Sequence, residues 1–245
     1  MEKLKPRAVI FDLGSTLIEY ESSSWAELSV PATEAMRQCL LKENHDVPGE
    51  QEFFQAFEDV KNEFRKEAAE TLVEWTIPKA AQGLLGRLEI TAEDGLVNRL
   101  FEAYYKPVGK QIFAYDDTLE TLEKIRARVD VIGLVSNTIF PEETHLKELK
   151  RFRINKFFDF TIFSSTFGVR KPHPDIFYHA ANMAGCAPGE AVYIGDRYLE
   201  DYQGPTGIGM PAVLKLWPRR EYPEDMPDSV PTIRKLSELA NYLDI

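Results

Sequence analysis

The chain has 245 residues, 44% of them hydrophobic and 28% charged, with a formal net charge of −11. These totals fit a soluble globular fold: one large domain, or a core with a smaller inserted one. An acidic surface repels phosphate backbones, which argues against non-specific nucleic-acid binding, and no apolar stretch is long enough to cross a bilayer.

The basic segment Met1 to Arg7 leads into Ala8-Val9-Ile10-Phe11, a β-forming run that stops at Asp12 with Gly14 and Ser15 behind it. The run is too short for a signal-peptide core and reads as a buried strand entering a tight turn. From about Ser24 to Tyr105, helical periodicity replaces strand-like runs. Phe53, Phe57, Val60 and Phe64 share one stripe, and Leu96, Leu100 and Tyr104 mark another helix. Pro31 and Pro78 are expected in first turns. So long a helical stretch is too much for a crossover between strands. The expected organisation is a core over 1–19 and 111–245 with a helical insert over 20–110. Two neighbouring linkers would let such an insert hinge.

Beyond Lys106 the strand–helix alternation resumes. Thr118 to Arg128 is an amphipathic helix with Leu119, Leu122 and Ile125 on one face. Val131 to Val135 is a strand ending at Ser136. Pro141 to Phe152 is helix, Phe158 to Phe163 strand, Pro174 to Ala184 helix and Ala191 to Ile194 strand. A short helical element begins at Glu200, Pro211 to Leu216 is the last strand, and Thr232 to Leu243 is expected to close as a helix. Such alternation implies an α/β fold, a parallel sheet with helices on both faces and ligands at the carboxyl ends of the strands. The Pro- and acid-rich loop Arg219 to Pro231 carries no readable purpose. Cys39 and Cys186 lack metal-ligand spacing and suit a reducing compartment, so a cytoplasmic location is expected.

The strand ends carry the chemistry. Asp12 ends the first strand, Ser136-Asn137-Thr138 the second, and Gly195-Asp196 the fourth, with Asp201 five residues on; Lys171 lies in the loop after the third. Singly, each has a plain reading: an Asp is often a helix cap, Ser-Asn a turn, a Lys a solvated surface group. Together they suit one reaction. Asp12 and Asp196 on neighbouring strands would repel unless a cation lay between them, and hard oxygen ligands suit Mg²⁺. Ser136 and Lys171 offer a hydroxyl and a fixed positive charge to a phosphoryl group. Asp12 can then attack phosphorus.

Four stretches resemble the haloacid dehalogenase superfamily, of the kind with a helical cap inserted after the first strand: Val9-Ile10-Phe11-Asp12-Leu13-Gly14-Ser15-Thr16-Leu17, Val135-Ser136-Asn137, the segment Gly168 to Phe177 containing Lys171-Pro172-His173-Pro174, and Tyr193-Ile194-Gly195-Asp196 with Asp201 and Gly204. The resemblance implies a Rossmann-like core. It makes Asp12 the nucleophile, and Asp12, the Gly14 carbonyl and Asp196 the Mg²⁺ ligands. Ser136 and Asn137 would bind phosphoryl oxygens, Lys171 would neutralise the nucleophile and the transferring group, and Thr16 and Asp201 would stand behind them. The implied activity is a phosphomonoester phosphatase acting on a small phosphorylated metabolite, with no nucleic-acid or membrane partner, as a monomer or small homo-oligomer.

One position departs from the pattern. Most phosphatases of this family carry an Asp two residues after the nucleophile, as acid and base, and here Gly14 has no side chain to do either. Glu19 or a cap residue is a candidate substitute. The departure leaves a second reading open, a catalytically weak or non-catalytic binding or regulatory protein. The dehalogenase branch uses no metal and does not predict Gly195-Asp196. The phosphonate-cleaving branch needs a cap lysine, and nothing singles out Lys42, Lys61, Lys66 or Lys79. Tyr20, Trp25 and Trp75 are candidates to line the cleft, though core packing explains them equally.

Overall fold

The computed structural model describes residues 3–20 and 24–244. The chain divides into two compact units, Tyr20–Ile112 and the remainder, Met1–Glu19 with Phe113–Ile245.

Strands β1 (Ala8–Phe11) and β2 (Ile18–Glu19) precede the helical unit of α1 (Trp25–Lys42), α2 (Glu50–Thr71), α3 (Ile77–Arg87) and α4 (Leu96–Gly109). There follow β3 (Phe113–Ala114), α5 (Thr118–Arg126), β4 (Val131–Ser136), α6 (Glu142–Arg151), β5 (Phe160–Phe163), α7 (Ser164–Phe167), α8 (Pro174–Met183), β6 (Ala191–Gly195), α9 (Gly204–Gly207), β7 (Ala212–Lys215) and β8 (Thr232–Ile233). Six of the strands form a parallel sheet in the order β5-β4-β1-β6-β7-β8. Strands with helices on both faces are buried throughout, and β1, β6 and β7 accordingly read as unbroken buried runs. β2 and β3 pair antiparallel, Ile18 with Ala114 and Glu19 with Phe113.

In the helical unit α1 packs on α4 and α2, and α3 on α2 and α4. Phe53, Phe57 and Val60 of α2 and Leu96, Leu100 and Tyr104 of α4 are buried, while Phe64 stacks on Trp75 with ring centroids 6.0 Å apart, a packing role for that tryptophan. Lys61 is buried with them, paired to Glu58 and over the Phe57 ring. Pro78 sits in the first turn of α3 as expected. Pro31 does not open a helix; it lies inside α1. The reason is the capping box of Ser24 and Glu27, which starts the helix before the proline. Pro31 then lacks the N–H that would have met the Glu27 carbonyl.

Two further expectations change. The buried face of α5 is Thr118, Thr121, Leu122 and Ile125, and Leu119 is exposed. Thr232 to Leu243 is not an α-helix. Thr232 and Ile233 extend along β7, Leu214 opposite Thr232, and only Leu236–Asn241 turns, as a 3₁₀ stretch. Leu236, Leu239 and Leu243 are buried all the same, so the apolar spacing served a different backbone. Among the described residues no helix is long and apolar enough to cross a membrane.

Candidate active site

The sheet order fixes the site. From β1 the chain moves to β4 and β5 on one side and returns as β6 on the other, which makes the carboxyl end of β1 the topological switch point. Phe11 pairs with both Leu134 and Ile194, so the residues one or two positions further along three adjacent strands share one edge. Those residues are Asp12, whose N–H donates to the Ile194 carbonyl at 2.8 Å, Ser136 at the end of β4 and Asp196 after β6.

Lys171 reaches this edge from the loop between α7 and α8. The Asn137 amide clamps its backbone from both sides, Nδ2 donating to the Lys171 carbonyl at 2.9 Å and Oδ1 accepting its N–H at 2.8 Å. The Asn137 side chain thus holds the Lys171 loop in place. The Lys171 ammonium, 1% exposed, donates to Asp12 Oδ1 at 2.7 Å, Asp201 Oδ1 at 2.6 Å and the Tyr193 hydroxyl at 2.8 Å. Tyr193 passes its own proton to the Val135 carbonyl at 2.8 Å. The ammonium also lies 3.2 Å from the Val135 carbonyl, so its three protons are shared among four acceptors. Burial disfavours the charged lysine, but the carboxylates of Asp12 and Asp201 outweigh it and raise its pKa. Burial raises the Asp12 carboxyl above its ordinary value, against the opposing pull of Lys171. An ammonium at 2.7 Å that stays charged holds Asp12 as the carboxylate. Thr16 Oγ1 donates to the other oxygen, Oδ2, at 3.3 Å.

Asp201 is placed beneath Asp196. Its Oδ2 accepts the N–H groups of Asp196 and Arg197 at 3.1 and 2.8 Å. Gly195 makes this possible, since a Cβ there would lie 2.4 Å from Asp201 Cγ. Asp196 in turn receives a fork from Arg220, Nε at 2.7 Å and Nη2 at 2.6 Å from Oδ2. Tyr222 donates its hydroxyl to the Asp196 carbonyl at 3.0 Å. The loop from Arg219 whose purpose the sequence hid lays a guanidinium on a strand-end carboxylate. Even so, burial and the charges of Asp12 and Asp201 push the Asp196 carboxyl up to about 8.

Gly14 and Ser15 form the turn after Asp12, and Ser15 is left-handed at φ 56°. Its N–H donates to the Ile18 carbonyl at 2.7 Å, and its own carbonyl accepts the Lys215 ammonium at 2.7 Å. Burial lowers the pKa of Lys215 to about 8. Glu19, considered as a stand-in for the missing acid, accepts from the Tyr115 hydroxyl at 2.6 Å and Trp217 Nε1 at 2.7 Å, and is buried.

The residues present fit a hard divalent cation. Asp12, Asp196 and Asp201 bring carboxylate oxygens within 4.8 Å of one another, all buried. Both Asp201 oxygens already serve Lys171 and two backbone N–H groups.

Tyr193, Arg220 and Lys215 were not singled out from the sequence. Tyr193 had a signal: a tyrosine in a fully buried strand needs a partner for its hydroxyl. Lys215 had one too, a charge ending an otherwise apolar strand. Arg220 had none.

Carboxylates, a buried lysine and the Ser136 hydroxyl gathered at the switch point of a parallel sheet define a protein of the α/β class with a polar site at its strand ends. The chain belongs to the haloacid dehalogenase-like hydrolases, whose family model matches residues 6–209. It is 30% identical to a glyceraldehyde 3-phosphate phosphatase of Methanopyrus kandleri over 207 residues, 84% of this chain and 82% of that one. It is 32% identical to human haloacid dehalogenase-like hydrolase domain-containing protein 3 over 160 residues, 65% of this chain and 61% of that one. Among solved structures, a HAD phosphatase from Thermococcus onnurineus superposes with TM-score 0.66 at 25% identity over 96% of both chains. A 2-haloacid dehalogenase from Pseudomonas syringae superposes with TM-score 0.72 at 21% identity over 97% of both, a likeness of fold alone.

Proposed function

We propose that the chain is a magnesium-dependent phosphomonoester phosphatase that works through an aspartyl-phosphate on Asp12. The observation that carries this reading is the buried pair of Lys171 with Asp12 Oδ1 at 2.7 Å, set beside Ser136 and Asp196 on one sheet edge. It keeps a carboxylate ionised where a phosphoryl group would arrive. An oxygen of Asp12 forms the new bond to phosphorus as the bond to the leaving oxygen breaks. Ser136 and the backbone that follows it hold the equatorial oxygens, and Lys171 takes up negative charge spread over them. Water then attacks phosphorus, the bond to Asp12 breaks and inorganic phosphate leaves. Asp12, the Gly14 carbonyl and Asp196 would hold Mg²⁺, which when bound supplies neutralising charge beside the transferring group. With glycine at position 14 the leaving oxygen has no local acid, so leaving groups that depart as stable anions are favoured.

Relatives named as glyceraldehyde 3-phosphate and phosphoglycolate phosphatases support a small phosphorylated metabolite as substrate. The free thiols Cys39 and Cys186 support a reducing, cytoplasmic setting. Hydrolysis of an aryl phosphate with and without Mg²⁺ tests the reading, together with mass spectrometry of acid-quenched protein for phosphate on Asp12. No Mg²⁺-dependent release, or release that survives Asp12→Asn, would sink it.

A further inference from the structure

A second buried chain of polar side chains runs up to the Ser136–Thr138 loop from behind. Thr138 Oγ1 lies 2.6 Å from His145 Nε2 on α6, and His145 Nδ1 lies 3.0 Å from Glu148 Oε2 one turn further on. All three residues are buried. The imidazole stacks on Phe163, ring centroids 5.0 Å apart and planes 18° from parallel. The direction of each bond follows from the donors available. A Glu148 carboxylate only accepts, so His145 carries its proton on Nδ1 and presents a bare Nε2. Thr138 therefore donates its hydroxyl to Nε2, and its oxygen accepts the Phe140 N–H at 3.0 Å. Burial, which pushes the His145 pKa down to about 3, keeps the ring neutral.

Thr138 is gripped on its other side as well, its N–H donating to Ser164 Oγ at 2.8 Å. It directly follows Ser136 and Asn137, so whatever fixes Thr138 fixes the backbone of that loop. We infer that His145, oriented by Glu148, is a positioning residue that acts through the Thr138 hydroxyl to set the phosphoryl-binding loop. The inference rests on the proposed role of Ser136–Asn137 but not on the metal. A loop that must meet a phosphoryl group within a fraction of an ångström gains from a support with one permitted hydrogen-bond pattern. A buried aliphatic residue in place of His145 would pack against Phe163 equally well and would leave the Thr138 hydroxyl without its acceptor.

Paired substitutions separate positioning from packing. Glutamine at 145 can bring an amide oxygen to the place of Nε2 and accept from Thr138, whereas asparagine reaches only the place of Nδ1. Thr138→Val removes the hydroxyl and Thr138→Ser keeps it. The readouts are inhibition by orthovanadate, kcat and KM for an aryl phosphate, and Mg²⁺ affinity by calorimetry without phosphate. Thr138→Val and His145→Asn should weaken orthovanadate binding by about ten- to a hundredfold, with Mg²⁺ affinity unchanged. Thr138→Ser and His145→Gln should stay near wild type. Equal orthovanadate affinity across Thr138→Val, Thr138→Ser and wild type would overturn the inference, and this pair decides if the His145 variants do not fold. A wild-type protein that binds no orthovanadate and cleaves no aryl phosphate would remove the loop's role itself, and the inference with it.

Discussion

Replacing Lys171 with methionine keeps most of the side chain's length and removes its charge. Asp12 and Asp201 then face each other in a buried site without the ammonium that lies 2.7 and 2.6 Å from them. Breaking a buried ion pair from one side costs about 3–5 kcal/mol, a large share of the roughly 5–15 kcal/mol that holds a domain folded. Asp12, whose carboxyl burial already raises, can relieve the strain by binding a proton. The loss should therefore be smaller at about pH 5 than at about pH 8, since that protonation removes the repulsion. Urea unfolding in a chelating buffer at both pH values measures it. Adding Asp201→Asn to Lys171→Met deletes one of the orphaned charges and should return about 1 kcal/mol or more at the higher pH, as coupled neighbours do. A loss below about 1 kcal/mol, the scale of an exposed pair, and equal at both pH values would refute the reasoning. So would a double variant no more stable than the single one.

Three more outcomes follow from the site. With the Asp196 carboxyl near 8 in the fold and 3.8 as its ordinary value, the folded state binds more protons than the unfolded chain between those limits. Metal-free stability should then fall as pH rises through that window, by at most about 1.4 kcal/mol per pH unit from this group. Asp196→Asn should flatten the slope and Mg²⁺ should restore the wild type at the upper end, both read from urea midpoints; an unchanged slope in Asp196→Asn would disprove the assignment. Gly14→Asp, if folded, should speed turnover of alkyl phosphates by up to about 10²–10⁴-fold, and wild type should show a burst on aryl phosphates; neither effect would mean that another group already supplies the proton. Gly195→Ala forces a Cβ to within 2.4 Å of Asp201 and should cost about 1–3 kcal/mol along with most phosphatase activity; a fully active, equally stable variant would show that Asp201 can move without consequence.

How much of this could be read from the sequence depends on the range of the interaction. The strands that carry Asp12, Ser136 and Asp196 announced themselves because a parallel sheet buried on both faces needs continuous apolar runs, and the switch-point rule then placed the chemistry at their ends. Residues that act across the fold left weaker traces. The sequence offered Asn137 as a phosphate ligand but could not show that its amide grips the Lys171 backbone, 34 positions away. Arg220 meets Asp196 from 24 positions away, out of a loop with no periodicity to read. Local rules also competed: Pro31 obeys the preference for first turns less than it obeys the capping box of Ser24 and Glu27, and Leu236, Leu239 and Leu243 kept a helix-like spacing on a backbone captured by strand pairing with β7.

The balance of charge at the sheet edge bears on the order in which ligands bind. Once a bound cation draws the proton from Asp196, Asp12, Asp196 and Asp201 are answered by Lys171, Arg220 and Lys215, the last of these electrostatically coupled to both Asp12 and Asp196 and, with a pKa of about 8, mainly charged at neutral pH. The buried charges therefore nearly cancel within the protein itself. A divalent cation entering alone leaves the site positive, and a phosphate dianion entering alone leaves it negative; both are costly where water is excluded. Entering together they cancel. Mg²⁺ and orthovanadate should thus each raise the affinity for the other by the same factor, on the scale of about 5–150-fold typical of coupled sites. Calorimetric titration of Mg²⁺ with and without saturating orthovanadate measures the factor directly. Lys215→Met should shift the balance by one charge, tightening Mg²⁺ binding in the absence of the anion and weakening orthovanadate in the absence of the metal. Identical Mg²⁺ affinity with and without the anion would mean that the site does not sense the two charges together, and that the cation these carboxylates hold is not the one that meets the phosphoryl group.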